Sequence, residues 1–271
     1  MTTSENTIDG TPRLECRDLR FAYESDRPVI ENLSATLGAS RLCALIGPNA
    51  AGKTTLLRVM LGQLPPDSGS VLLEGTAIDG LDLRRRAALV SYVPQRGGPG
   101  FDYTVGEVVR MGRYALAPDA AAVDRAMEQC ALNDLRDRIY MRLSTGQQQR
   151  VLLARAIAQS HGQGRVMLLD EPVSAMDLRH VHHTMQRIRR LALDGLAVVM
   201  VLHDLNLAAR YADDVWLMDR GRLEAAGPWR EVLRADRLEP VYGMPLEEMS
   251  HGDGERPLFV PRPPSIMSGT G

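Results

Sequence analysis

Between Gly47 and Thr55 the chain reads GPNAAGKTT, and few nine-residue stretches leave a fold less freedom. Gly47, Gly52, Lys53 and Thr54 fit G-x-x-x-x-G-K-[ST], a loop whose backbone NH groups cradle phosphates while the lysine reaches the β- and γ-phosphate oxygens. Such a loop works between the end of a strand and the start of a helix, because the helix N-terminus supplies the aligned NH groups that complete the anion site. The flanks comply. RLCALIG (Arg41 to Gly47) is a short apolar run ending in glycine, and TTLLRVMLGQL keeps helical spacing up to Pro65 and Pro66. The Thr54 hydroxyl is placed to ligate Mg²⁺ beside the bound phosphates.

Of the 32 basic residues only Lys53 is a lysine, and all the others are arginine. A compact ammonium enters such a loop, whereas a guanidinium is planar, wider and fixed in its donor geometry, so the arginine bias stops where the chemistry resists it. The formal net charge of -2 gives no basic surface, and no nucleic-acid partner is expected. Cys16, Cys43 and Cys130 are far apart and lack C-x-x-C spacing, which suggests neither a disulfide framework nor a zinc site and fits a reducing cytosol. The N-terminal MTTSENTIDGTPR has no apolar core for a signal peptide, and the longest apolar run, LAVVMVL (Leu196 to Leu202), is far too short for a bilayer. A chain soluble by itself is expected.

Beyond the loop, VLLEG and ALVSYVPQ are further apolar runs, the second ending at Gln95. RGGPGFD then breaks the pattern, and TVGEVVRMGRY opens with capping-box spacing at Thr104 and Glu107. Residues from Arg96 to Met141 read as mainly helical. RVMLLDE (Arg165 to Glu171), a helix through HHTMQRIRRLAL and the strand LAVVMVLHD restore the β/α alternation of a parallel sheet. The division expected is a nucleotide-binding core at 12–95 and 156–235, a helical subdomain at 96–155 and a C-terminal extension at 236–271. The tail after Ser250, with Pro257, Pro261, Pro263 and Pro264, is expected to be loosely ordered.

VMLLDEP places Asp170 and Glu171 at the carboxyl end of a buried strand, where open parallel sheets bind ligands. The two carboxylates can divide the work, Asp170 in a Mg²⁺ shell and Glu171 polarising a water for in-line attack on a γ-phosphate. LSTGQQQRVLLARAIAQ (Leu143 to Gln159) adds a polar entry to a long helix, and Ser144 with the Gly146 NH forms a second anion-binding end. One chain rarely needs two such ends for one triphosphate. By itself this stretch could be an ordinary capped helix, and the bland alternative for the acidic pair is a strand-end cap.

Together these residues resemble the nucleotide-binding subunit of an ATP-binding cassette (ABC) transporter, from about Leu14 to Gly243. The resemblance implies an α/β P-loop NTPase (RecA-like) core with an N-terminal antiparallel β part and an inserted helical subdomain. GPNAAGKTT is similar to its Walker A loop, which assigns Gly47, Pro48, Asn49, Ala50, Ala51, Gly52, Lys53, Thr54 and Thr55 to the nucleotide, with Tyr23 stacked on adenine. Gln95 resembles the Q-loop glutamine, placed with Thr54 and Asp170 around Mg²⁺; Glu171 would be the catalytic base and His203 the switch histidine on the γ-phosphate. Ser144, Thr145, Gly146 and Gln147 match the signature, and Asp177 of SAMD the D-loop that couples two sites. In that family two copies pair head to tail, so the second anion end serves the partner's ATP. Implied partners are ATP with Mg²⁺, a second copy, membrane permease subunits and, indirectly, a periplasmic binding protein, which places the chain on the cytoplasmic face of the cell membrane.

Two positions depart from the pattern. Ala50 stands where glycine is usual and is expected to be tolerated on a negative φ; Thr145 replaces the first glycine of LSGGQ and adds a β-branched side chain next to the partner's phosphate. TVGEVVRMGRY and VLHDLNLAARYAD resemble importers of iron complexes, haem and cobalamin, and SHGQG with DLRHVHHT resembles the haem importers among them. His180, His182 and His183 are expected on a solvated helix face, not as ligands of haem or metal. The competing reading from another class is a soluble P-loop kinase or switch, which would have no use for LSTGQ or His203.

Overall fold

Period-two patterning builds the first sheet. In the computed structural model, which describes residues 12–24, 27–95, 97–250 and 256–262, β1 (Leu14–Glu24) and β2 (Arg27–Leu37) pair antiparallel and bury Leu14, Cys16, Leu19, Ile30, Leu33 and Leu37 on one face. The strand β3 (Leu42–Ile46) is buried throughout, as a central strand covered on both sides must be. It runs into the phosphate loop and α1 (Lys53–Met60). The strands β4 (Ser68–Leu73) and β5 (Thr76–Ala77) then complete an antiparallel sheet of order β2-β1-β4-β5.

The helix α2 (Leu83–Leu89), capped by Asp82, takes up the first two residues of ALVSYVPQ, so that β6 is only Val90–Val93. A helical arm follows, with α3 (Val105–Met111), α4 (Ala120–Gln129) and the long α5 (Thr145–Ser160). The expected capping box at Thr104 and Glu107 is present on α3. After it come β7 (Val166–Leu169), α6 (Leu178–Leu193), β8 (Ala197–Val201), α7 (Leu205–Tyr211), β9 (Asp214–Asp219) and β10 (Arg222–Pro228). The second sheet has the order β10-β9-β3-β8-β7-β6, parallel except for β10 at its edge. Its alternate side chains serve two cores. Leu42, Ala44 and Ile46 pack toward the helices, while Cys43 and Leu45 pack toward α1 and the antiparallel sheet.

Part of the expected loose tail is ordered. Behind α8 (Trp229–Val232) and α9 (Ala235–Tyr242), β11 (Leu246–Ser250) pairs antiparallel with β12 (Pro257–Pro261), while Pro263 and Pro264 lie outside the described residues. Pro257 and Pro261 mark the two ends of an outer strand, where a missing NH costs no ladder bond, so proline content alone did not forbid it. No helix among the described residues is long and apolar enough to cross a membrane.

All three cysteines are free and buried, and burial pushes the Cys16 and Cys130 thiols up to about 12. The native chain should therefore be nearly silent toward a thiol reagent such as DTNB and should titrate three thiols once denatured. Fast reaction of any cysteine in the native state would show a core more open than this.

Candidate nucleotide site

Four neighbouring parallel strands deliver the site. The carboxyl ends of β3, β8, β7 and β6 lead into the phosphate loop, His203, the Asp170–Glu171 pair and Gln95 respectively, the edge at which open α/β sheets bind ligands. Gly47 has φ +144°, and a Cβ there would come within 2.0 Å of the Met218 carbonyl, so only glycine lets the loop leave the sheet at this point. Lys53 is buried, and its Nζ donates to the carbonyls of Gly47 at 2.8 Å and Pro48 at 2.7 Å, closing the loop across its own mouth. Burial holds this ammonium below the usual lysine range, against the pull of Glu171 and Asp170, so a polyanion entering the loop restores what desolvation has taken.

Ala50 corrects an expectation. Its φ is +63°, in the left-handed region, not negative. A Cβ there costs about 1–2 kcal/mol, which the surrounding loop must hold in place. Ala50→Gly should therefore raise stability by up to about 1 kcal/mol, after the entropy that glycine adds to the unfolded chain, with ATP affinity kept. A lower melting temperature in that variant would contradict the strain assignment.

The acidic pair divides as its environment dictates. Asp170 is 1% exposed and accepts from Thr54 Oγ1 at 3.2 Å, while burial raises its carboxyl above the ordinary aspartate range. Glu171 turns the chain sharply at φ +50°. Its Oε2 accepts from Gln95 Nε2 at 2.8 Å and its Oε1 meets His203 Nε2 at 2.5 Å. Two residues brought by β6 and β8 thus share the carboxylate at the end of β7. Tyr23 lies at the end of β1, 57% exposed, with its ring edge-on to Phe21 at 5.0 Å between centroids and its hydroxyl 3.4 Å from Thr55 Oγ1. An exposed aromatic at the mouth of the loop offers a face for stacking.

At the start of α5, Ser144 and Gln147 form a complete capping box, the Ser144 hydroxyl accepting from the Gln147 NH and the Gln147 side chain from the Ser144 NH. Thr145 is the first helical residue, exposed and without a positive φ, so its β-branch fits the helix. A Cβ on Gly146 would come within 2.8 Å of the Ala175 carbonyl, which fits α5 closely to the turn before Asp177. Asp177 caps α6, accepting from the His180 NH at 2.9 Å and facing its ring Nδ1 at 2.8 Å. His180 and His183 are exposed as expected. His182 is half-buried, its Nδ1 2.6 Å from the Tyr211 hydroxyl. Gln149, not singled out among the site residues above, is 4% exposed and sits 3.5 Å from the Glu171 carbonyl and 3.4 Å from Ser174 Oγ. Its signal was there to read: an amide in the apolar register of a helix that otherwise buries Val151, Leu152 and Leu153.

A phosphate loop on β3, a buried carboxylate and an activatable one on β7, and a capped helical arm define a P-loop nucleoside triphosphatase with an inserted helical arm. The sequence pattern of the ABC transporter family matches residues 30–174. The chain belongs to that family, as its ATP-binding and ATP-hydrolysing part. It is 39% identical over 249 residues to the hemin import ATP-binding protein HmuV of Bordetella parapertussis, covering 88% of this chain and 95% of that one. It is 38% identical over 248 residues to the protein of the same name from Pseudomonas putida, covering 89% and 97%. Among solved structures it resembles an inward-facing ABC transporter of metal-chelate type, with TM-score 0.77, 26% identity and coverage of 93% and 98%. It also resembles a bacterial Atm1-family ABC exporter with ATP bound, with TM-score 0.76 and 26% identity over 86% of this chain and 42% of that one.

Proposed function

We propose that this chain powers the import of haem through separate permease subunits, working as a pair of copies on the cytoplasmic face of the membrane and fed by a periplasmic binding protein. The observation that carries the catalytic part is the convergence of Gln95 and His203 on Glu171, at 2.8 and 2.5 Å, beside the lysine loop. In this reading Lys53 and the loop NH groups hold the β- and γ-phosphates, Tyr23 carries the adenine, and Glu171 accepts the proton of the attacking water while His203 holds the γ-phosphate in line. The Ser144–Gln147 end of α5 offers the NH groups its capping box leaves over, those of Thr145 and Gly146, to the γ-phosphate bound by the second copy, and Asp177 links the two sites.

Thr54, Asp170 and Gln95 suit Mg²⁺, since they offer a hydroxyl, a carboxylate and an amide oxygen, all hard donors, with Thr54 and Asp170 already adjacent at 3.2 Å. When bound, the ion offsets charge on the phosphate oxygens. A buried carboxyl shifted toward its neutral form is a group that a divalent cation would return to its charged form.

Haem as cargo is supported by the named relatives, which match this chain over nearly its whole length. The metal-chelate transporter among the solved structures supports a second reading with the same motor and a ferric siderophore or cobalamin as cargo. Reconstitution with the cognate permease and binding protein separates them: ATP-driven uptake of haem into vesicles, with siderophore and cobalamin excluded, is the expected result. Uptake of either competitor in place of haem would overturn the cargo assignment.

A further inference from the structure

Nothing in the sequence ties the residues beyond α8 to the nucleotide, yet the structure fastens them to the element that follows His203. That histidine sits between the end of β8 and Asp204, whose carboxylate caps α7 by accepting from the NH groups of Asn206 at 2.7 Å and Leu207 at 3.2 Å. Asn206 in turn joins α7 to β12. Its Oδ1 accepts from the Phe259 NH at 2.8 Å and its Nδ2 donates to the Phe259 carbonyl at 3.2 Å, the two bonds a neighbouring strand would make. At the far end of the helix, Arg256 donates to the carbonyls of Ala209 at 2.5 Å and Ala212 at 2.9 Å, and its guanidinium lies over the Trp229 ring at 4.8 Å. Phe259, 4% exposed, anchors the hairpin in the core.

We propose that the hairpin β11–β12 sets the position of His203 for hydrolysis, with Asn206 as the positioning residue. The core fixes β8 up to Leu202, whose NH donates to the Leu45 carbonyl. Past that bond the path of His203 is decided by where α7 lies, and α7 is held at both ends by the hairpin. A side chain that must meet a phosphate oxygen tolerates little error, and displacement by about an ångström costs up to roughly a hundredfold in rate. The phosphate loop has its own contact with this segment, since the Tyr242 hydroxyl at the end of α9 is buried beside the Gly47 amide without a fully formed hydrogen bond. The tie through Asn206, by contrast, reaches the site through α7 alone. It therefore acts on turnover and leaves nucleotide affinity in place.

The inference rests on the reading of His203 as a γ-phosphate contact, and the experiment keeps the two apart. Turnover is measured in the assembled transporter for wild type, His203→Ala, Asn206→Ala and Asn206→Gln, and the imidazole signals of the six histidines are followed by NMR in the full chain. Asn206→Ala should lower kcat by roughly ten- to a hundredfold with KM for ATP within about twofold, and should shift the His203 ring signals while those of His180 and His183 stay in place. Asn206→Gln, which retains both amide groups one methylene further out, should fall between. If Asn206→Ala does not fold, Arg256→Gln cuts the other tie and should shift the same signals. Unmoved His203 signals in a folded variant, or a rise in KM equal to the loss in kcat, would overturn the positioning role. Wild-type turnover in His203→Ala would instead sink the reading of the site, while the NMR arm still decides whether the hairpin places that ring.

Discussion

Glu171→Gln should abolish most ATP hydrolysis and leave ATP binding intact. General-base catalysis contributes about 10² to 10⁴-fold, so the barrier should rise by roughly 3–5 kcal/mol. Glutamine keeps the shape of the side chain and can still meet Gln95 and His203, but its amide takes up no proton. The carboxylate is already singled out by geometry, on a left-handed backbone at the end of β7, half-enclosed and shared between a glutamine and a histidine. Phosphate release and equilibrium nucleotide binding, measured on the same preparation, check both halves. Hydrolysis within about threefold of wild type would remove Glu171 from the role of base.

Lys53→Arg should act one step earlier and abolish tight ATP binding. The ammonium is 6% exposed and makes two hydrogen bonds to loop carbonyls, a fit that depends on a compact tetrahedral donor. A guanidinium keeps the charge but is too wide to follow the same path, so the proposed contact with the β- and γ-phosphates should be lost. Disturbing a buried charged contact of this kind costs about 2–5 kcal/mol, which corresponds to tens- to thousands-fold in affinity. Because this chain uses arginine at every other basic position, the variant also tests whether the single lysine is there for its geometry. Near-normal affinity would show that charge alone suffices.

Much of this was legible in the residues themselves. The phosphate loop, the DE pair at a strand end and the LSTGQ helix entry are local patterns, because strand, turn and cap are decided by neighbours a few residues apart. What the sequence could not carry was backbone sign and long-range closure. The left-handed φ of Ala50 depends on how the loop turns over α1, and alanine gives no local signal for it. Thr145 departs from a motif, yet it is an ordinary first helical residue once Ser144 is seen to be the cap. The hairpin at the C-terminus was hidden by its prolines, and the Asn206–Phe259 pairing joins residues 53 apart in sequence, beyond the reach of any periodicity. Gln149 shows the opposite case, a buried polar residue that the helical register exposes to a careful reader.

In the proposed pair, each ATP is closed between the lysine loop of one copy and the Ser144–Gln147 helix end of the other. Two variants should each be inactive as homodimers: Lys53→Ala, which removes the loop cation, and Gly146→Asp, which puts a charged side chain against the Ala175 carbonyl. In a mixed pair with two-fold symmetry, one site holds both defects and the other holds neither. Mixing the two variants in the assembled transporter should therefore restore hydrolysis to about a quarter of wild type, since half the pairs are mixed and each has one intact site of two. No recovery on mixing, with mixed pairs shown to form, would contradict closure between copies and place loop and helix end within one chain.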